Sequence, residues 1–158
     1  MSTDDGAILL LDDDPMVTRS LAALLGEETT CRVVALNRPA EALAALAERP
    51  FDVVVADFLM PEMDGLRVLA HARETQPQAS RILLTGYADK ASAIRSINEV
   101  ALYQYVEKPW DNDALLLVLR NAVERSRLVR ELERQMLAFG RVDRSLVELR
   151  ARLLKALA

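Results

Sequence analysis

One feature constrains the fold of this chain more than any other. Short apolar runs end abruptly in a polar or charged residue, and each is followed by a segment with helical spacing. Ala7 to Leu11 stops in Asp12, Asp13 and Asp14. Cys31 to Leu36 runs out into Asn37 and Arg38. Phe51 to Ala56 stops at Asp57, Ser80 to Leu84 at Thr85, and Leu102 to Glu107 at Lys108 and Pro109. Between them, Pro15 suits the first turn of a helix that repeats Val17, Leu21, Leu24 and Leu25. Pro39 to Ala47 is rich in Ala and Leu, and Gly65 to Thr75 places Leu66, Leu69 and Ala70 on one face. Asp89 suits the cap of a helix reaching about Asn98, and Asp111 that of a last helix through Leu115, Leu119 and Ala122. Strands without polar alternation are buried on both faces, as in a parallel sheet. Five such strands alternating with helices predict an α/β fold, a doubly wound five-stranded parallel sheet.

In sheets of this kind ligands bind beyond the carboxyl ends of the strands. Those ends carry Asp12, Asp13, Asp57, Thr85 and Lys108. Taken singly, each has a plain explanation: Asp14 before Pro15 as a helix cap, Asp57 as turn chemistry, Thr85 as a strand end, Lys108 as a solvated lysine. Their joint placement at the strand ends of one pattern does not. Converging carboxylates repel one another, and a cation relieves that repulsion. Mg²⁺ takes oxygen ligands, so Asp13 and Asp57, with Asp12 helping through water, form a candidate site. A carboxylate beside such an ion can act as a nucleophile toward phosphorus, giving an aspartyl phosphate. Lys108 and the Thr85 hydroxyl would then hold the equatorial phosphoryl oxygens.

Four segments in order, Ile8 to Pro15, Asp57 to Gly65 (with Met60-Pro61 and Asp64), Leu84-Thr85-Gly86-Tyr87 and Tyr105 to Trp110, resemble the receiver domains of bacterial two-component response regulators. The resemblance covers roughly Ala7 to Ser126 and implies the flavodoxin-like, CheY-like fold. It implies Asp57 as phosphoacceptor and Asp12 and Asp13 as the acidic pair, with the Leu59 carbonyl completing a Mg²⁺ shell. Thr85 and Tyr105 become the switch pair, Lys108 the phosphoryl contact, and Lys108-Pro109 a cis peptide. The implied activity is self-catalysed phosphorylation from a sensor histidine kinase or phosphotransfer protein, without conventional enzymatic turnover. Leu59 and Tyr87, two residues beyond Asp57 and Thr85, offer no means of orienting a hydrolytic water. Slow self-dephosphorylation is therefore expected, and Leu59→Asn would probe it.

At 158 residues the chain suffices for one domain and an appendage. One Cys (Cys31) and one His (His71) exclude an internal disulfide and a His/Cys metal cluster. No apolar run approaches the roughly 20 residues that cross a bilayer, and the acidic N-terminus is unlike a secretion signal. The expected setting is cytoplasmic, with no membrane partner. Residues 1–119 carry −9 and residues 120–158 carry +5, an asymmetry that suggests two parts. We read 1–126 as a receiver domain and 127–158 as a C-terminal helical or coiled-coil extension. The tail repeats Leu128, Leu132, Met136, Phe139, Val142, Leu146, Leu149, Leu153 and Leu157 at near-heptad spacing, with a slip at Gly140. An extended helix forming a parallel homodimer is the favoured expectation. A helical hairpin capped at Asp143 or Ser145 is the alternative. Without aromatic interleaving or a helix-turn-helix pattern, the basic tail carries no expectation of nucleic-acid binding. No output domain is recognisable in these residues, so a downstream effector protein or an output domain beyond them is expected. Against the phosphorylation switch stands a phosphorylation-independent scaffold for helix-mediated assembly, which has no need of the Asp57, Asp13, Thr85 and Lys108 cluster.

Overall fold

The computed structural model describes residues 6–140 and 144–158, leaving out the side chains of residues 87, 95–98 and 144–146. The elements run β1 (Ala7–Leu11), α1 (Pro15–Glu28), β2 (Arg32–Leu36), α2 (Pro39–Glu48), β3 (Val53–Asp57) and α3 (Gly65–Thr75). They continue as β4 (Ser80–Thr85), a 3₁₀ turn (Tyr87–Asp89), α4 (Lys90–Val100), β5 (Gln104–Glu107), α5 (Asn112–Gly140) and α6 (Arg144–Leu157). The strands pair in parallel in the order β2-β1-β3-β4-β5.

Side-chain alternation along each central strand feeds two apolar layers. Leu9, Leu11, Val54 and Leu83 face α2, α3 and α4 through Ala42, Leu46, Val68, Leu69, Ala72, Ala93 and Val100. Ile8, Leu10, Val55 and Ile82 face α1 and α5 through Leu21, Leu25, Leu115, Leu119 and Val123. Each fully buried Leu, Ile or Val stabilises the fold by roughly 1.5–3 kcal/mol, so these layers hold the sheet flat against its helices. The central strands β1, β3 and β4 are nearly all buried, whereas the edge strands β2 and β5 are half exposed. Double-sided burial therefore applies only to the middle of the sheet.

Helix ends follow the polar residues before them. Asp14 caps α1 by accepting from Met16 N, and Asp64 caps α3 by accepting from Arg67 N. Asp111 Oδ2 accepts from Ala114 N at 2.9 Å at the start of α5. Asp89 stands at the start of α4 without a side-chain cap bond, because the preceding 3₁₀ turn already gives it helical backbone angles. The buried stripe of α3 is Gly65, Val68, Leu69 and Ala72, and the expected Leu66 and Ala70 are only half-buried beside it. The Lys108-Pro109 peptide is cis.

The tail forms a hairpin rather than one straight helix. α5 spans 29 residues and α6 returns beside it, with Arg150 of α6 paired to Glu133 of α5. Val142, Asp143 and the side chains of Ser145 and Leu146 lie outside the described residues.

Candidate functional site

Every strand that ends in acid, hydroxyl or ammonium delivers it to the same edge of the sheet. Asp12 follows β1, Asp57 closes β3, Thr85 closes β4 and Lys108 follows β5. Parallel pairing in register makes the convergence unavoidable: Leu11 pairs with Ala56, Asp57 with Leu84 and Thr85 with Glu107. Carboxylate oxygens of Asp12, Asp13 and Asp57 all lie within 4.8 Å of one another. Asp12 and Asp57 are buried at 1% and 7% exposure, and Asp13 is exposed. Lys108 Nζ donates to Asp12 Oδ2 at 2.7 Å and lies 3.1 Å from Asp57 Oδ1.

Three carboxylates therefore face one ammonium. Burial above all, and then the Asp12 charge, push the Asp57 carboxyl up to about 6 against the pull of Lys108. Burial alone would lower Lys108, but its hydrogen bond and attraction to Asp12, followed by those to Asp57, outweigh this and raise it above its usual range. The donor set is all oxygen, anionic and short of positive charge. That composition fits a hard divalent cation such as Mg²⁺.

The loop from β3 to α3 is folded tightly over the site. Gly65 N donates to Phe58 O at 2.9 Å. A Cβ on Gly65 would lie 2.0 Å from the carbonyl oxygen of Asp57, so only glycine permits this approach. In the sequence Gly65 reads only as the end of the Asp57 to Gly65 segment and the start of a helix. Leu59 sits in this loop and is 56% exposed. Thr85 is fully buried, and its hydroxyl donates to Gly86 O at 3.2 Å rather than toward the acids. Tyr105 is half-buried at the α4 side of the sheet, with Lys90 Nζ 6.0 Å from its ring centre. The cluster of Asp12, Asp13, Asp57 and Lys108 is thus assembled, while Thr85 and Tyr105 stand beside it. The Tyr87 side chain lies outside the described residues.

Two roles escape sequence reasoning, that of Asn37, visible only as a strand end, and that of Arg81. Asn37, at the end of β2, bonds into the β1–α1 loop. Arg81, in β4, is 1% exposed and donates to the carbonyls of Pro77, Ala79, Val100 and Ala101, tying the C-terminal end of α4 to the sheet. Burial pulls that guanidinium down to about 10. A lone arginine in an apolar run gives no warning that backbone carbonyls will solvate it.

The model of the response regulator receiver domain matches residues 8–120. The hydrogenase transcriptional regulatory protein HoxA of Cupriavidus necator is 35% identical over 134 residues, 85% of this chain and 27% of that protein. The regulatory protein AtoC of Escherichia coli is 35% identical over 79% of this chain and 27% of its own length. The chain thus spans about a quarter of the curated relatives it matches. Among solved structures, the signal receiver domain of an HD domain-containing protein from Pseudomonas fluorescens superposes with TM-score 0.76 at 36% identity, covering 83% of this chain and 96% of that one. A receiver domain from Clostridium thermocellum gives 0.72 at 28% identity, covering 78% and 98%. Among the described residues no helix is long and apolar enough to cross a membrane.

Proposed function

Because this chain belongs to the response regulator receiver family, we propose that it takes a phosphoryl group from a histidine kinase or phosphotransfer protein onto Asp57, with Mg²⁺, and switches a protein-interaction surface. One observation carries this reading. The Asp57 carboxylate is held at a strand end between the Lys108 ammonium and two further carboxylates, three negative groups facing one positive one.

In the transfer, an Asp57 oxygen forms the new bond to phosphorus as the phosphorus–nitrogen bond of the phosphohistidine breaks, and the imidazole leaves with the electron pair. Asp12, Asp13 and Asp57, with the Leu59 carbonyl, would hold Mg²⁺, which when bound offsets the negative charge of the transferring group. Lys108 already lies within reach of Asp57 and moves onto a phosphoryl oxygen. Thr85 exchanges a neutral hydrogen bond, worth about 1 kcal/mol, for one to a charged oxygen, worth roughly 1.5–3 kcal/mol. That difference favours the rotated hydroxyl only after phosphorylation, and a ligand shifts a two-state equilibrium by such differential contacts alone. The space Thr85 leaves lets Tyr105 turn inward, changing the surface of α4, β5 and α5. We place the division between receiver and extension at 126–127, in the middle of α5, and homodimerisation on the exposed Leu128, Leu137, Phe139 and Leu149 of the hairpin.

The test is intact mass after incubation with acetyl phosphate and Mg²⁺, beside an oligomer-mass determination. A gain of about 80 Da, one phosphoryl group, dependent on Mg²⁺ and lost in Asp57→Ala, is expected. No adduct, together with no beryllofluoride binding, would overturn the switch in favour of the scaffold.

A further inference from the structure

We propose that Asn37 is a positioning residue for the divalent-cation end of this site, acting through the backbone of the loop that carries Asp12 and Asp13. The inference rests on the Mg²⁺-dependent reading above.

Asn37 is the first residue beyond β2, where Leu36 pairs with Leu11. Its Nδ2 donates to Asp12 O at 2.8 Å and to Thr18 Oγ1 at 2.9 Å. Thr18 is 3% exposed in the first turns of α1, and its own hydroxyl donates to Pro15 O at 3.2 Å. From the other side, Asp12 N donates to Leu36 O at 3.2 Å. One amide nitrogen therefore ties the start of the β1–α1 loop, at Asp12, to the first turn of α1, at Thr18, and uses both of its hydrogens to do so.

Asp13 lies inside that fastened span. Asp12 is oriented by Lys108, and its Oδ1 accepts from Asp14 N at 2.9 Å. Among the described residues nothing donates a hydrogen bond to the exposed Asp13 carboxylate. Its place within 4.8 Å of Asp12 and Asp57 follows from the loop backbone, which Asn37 fastens together with the Asp12 N–Leu36 O bond. Groups that orient metal ligands from behind commonly govern affinity without touching the ion. Releasing the loop lets the three carboxylates spread apart under their mutual repulsion, so the released site meets the cation less well organised.

The experiment is calorimetric titration of the full chain with Mg²⁺ alone, for the wild type and Asn37→Ala. The expected result is about tenfold weaker binding in the variant. Acetyl phosphate labelling should slow in proportion at limiting Mg²⁺ and recover to the wild-type rate at saturating Mg²⁺. A general loss of structure would not produce that split, and thermal unfolding in EDTA confirms that the variant folds. Thr18→Val, which removes one anchor only, should weaken Mg²⁺ about threefold. If Asn37→Ala does not fold, Asn37→Ser takes its place, with the same threefold loss expected. Unchanged Mg²⁺ affinity in a folded Asn37 variant overturns the proposal. Absence of Mg²⁺ binding in the wild type instead overturns the reading of the site on which it rests.

Discussion

Asp52 and Asp57 stand on either side of β3's apolar residues, both buried, and the chain treats them in opposite ways. Asp52, just before β3, is fully supplied. Its Oδ2 accepts from Ala7 N at 2.8 Å, its Oδ1 pairs with Arg130 of α5, and Arg130 also donates to the Phe51 carbonyl. The Asp52 carbonyl accepts from Ser80 N and the Ser126 hydroxyl, which is itself 2.7 Å from the Ser80 hydroxyl. Asp57, at the other end, shares one ammonium with Asp12 and faces Asp13 besides. One end of the strand uses a carboxylate to weld α5 to the sheet. The other keeps a carboxylate short of partners, the state on which the proposed cation and phosphoryl chemistry depends. A buried charge is structural when its partners are complete and reactive when they are not.

The largest effect expected from breaking this contrast lies at the welded end. Asp52→Ala leaves the Ala7 amide without its acceptor and the Arg130 guanidinium without its counter-charge, with only the Phe51 carbonyl left to it. Removing one member of a buried pair costs roughly 3–5 kcal/mol, and because Arg130 is 31% exposed and finds some water, about 3 kcal/mol is expected. Urea unfolding measures it. Phosphorylation by acetyl phosphate, in whatever fraction stays folded, should be unchanged. A loss of labelling without loss of stability would mean that the two ends are not separable.

The opposite sign is expected at the reactive end. Burial first, and then the Asp12 charge, raise the Asp57 carboxyl from 3.8 to about 6 in the folded chain. Between those values the folded state holds a proton that the unfolded state has lost. Stability therefore falls as pH rises through this window and stays lowered above it. That rise corresponds to at most about 3 kcal/mol, and water at the open edge of the site screens part of it, so Asp57→Asn should stabilise the Mg²⁺-free protein by about 2 kcal/mol at pH 7.5 and hardly at all near pH 4. Unfolding in EDTA across that range, as a difference between variant and wild type, gives the answer. A variant less stable than the wild type at pH 7.5 would show that Asp57 is satisfied after all.

The contrast between the two carboxylates explains what was legible in the sequence. A strand end is visible as an apolar run stopping in a polar residue, and Asp12, Asp57, Thr85 and Lys108 were found that way. Asp52 lies inside the stretch Phe51 to Ala56 that reads as strand, and its partner Arg130 is 78 residues away on a helix whose direction no local pattern fixes. The face of α3 was misjudged because its true stripe contains Gly65 and Ala72, which contribute little apolar signal but pack closest. The tail's near-heptad spacing reads first as an extended helix in a parallel dimer and only second as a hairpin. The hairpin is marked by the pairing of Glu133 with Arg150, which joins residues 17 apart and is invisible to a heptad count.

That pairing extends the welded end beyond the sheet, and it yields the smallest effect. Glu133 Oε2 accepts from Gln78 Nε2 at 2.6 Å, in the connection between α3 and β4, while Oε1 pairs with Arg150 of α6. Burial alone would raise the Glu133 carboxyl, but the hydrogen bonds from Gln78 and Arg150, with the Arg150 charge, hold it below its usual range. Its contribution is therefore complete above the unperturbed value of 4.5 and is lost as pH falls through the lower folded value. Arg150 Nε has no partner among the described residues, so this seat for α6 is less complete than the one Asp52 gives α5. Glu133→Gln keeps the shape and removes the charge, which should cost about 1 kcal/mol. The loss should be local, because α6 opens without unfolding the sheet. Amide exchange in α6 should quicken about fivefold in Glu133→Gln at neutral pH, while β1, β3 and β4 keep their protection. The wild type should approach the variant's α6 exchange, corrected for intrinsic rate, only under acid conditions. Faster exchange spread evenly through the strands would mean that α6 is part of the receiver's cooperative core and that the welded end reaches to the end of α6. Unchanged exchange in α6 would mean that the helix is seated by its apolar face alone, and that the seat of complete partners stops at Arg130.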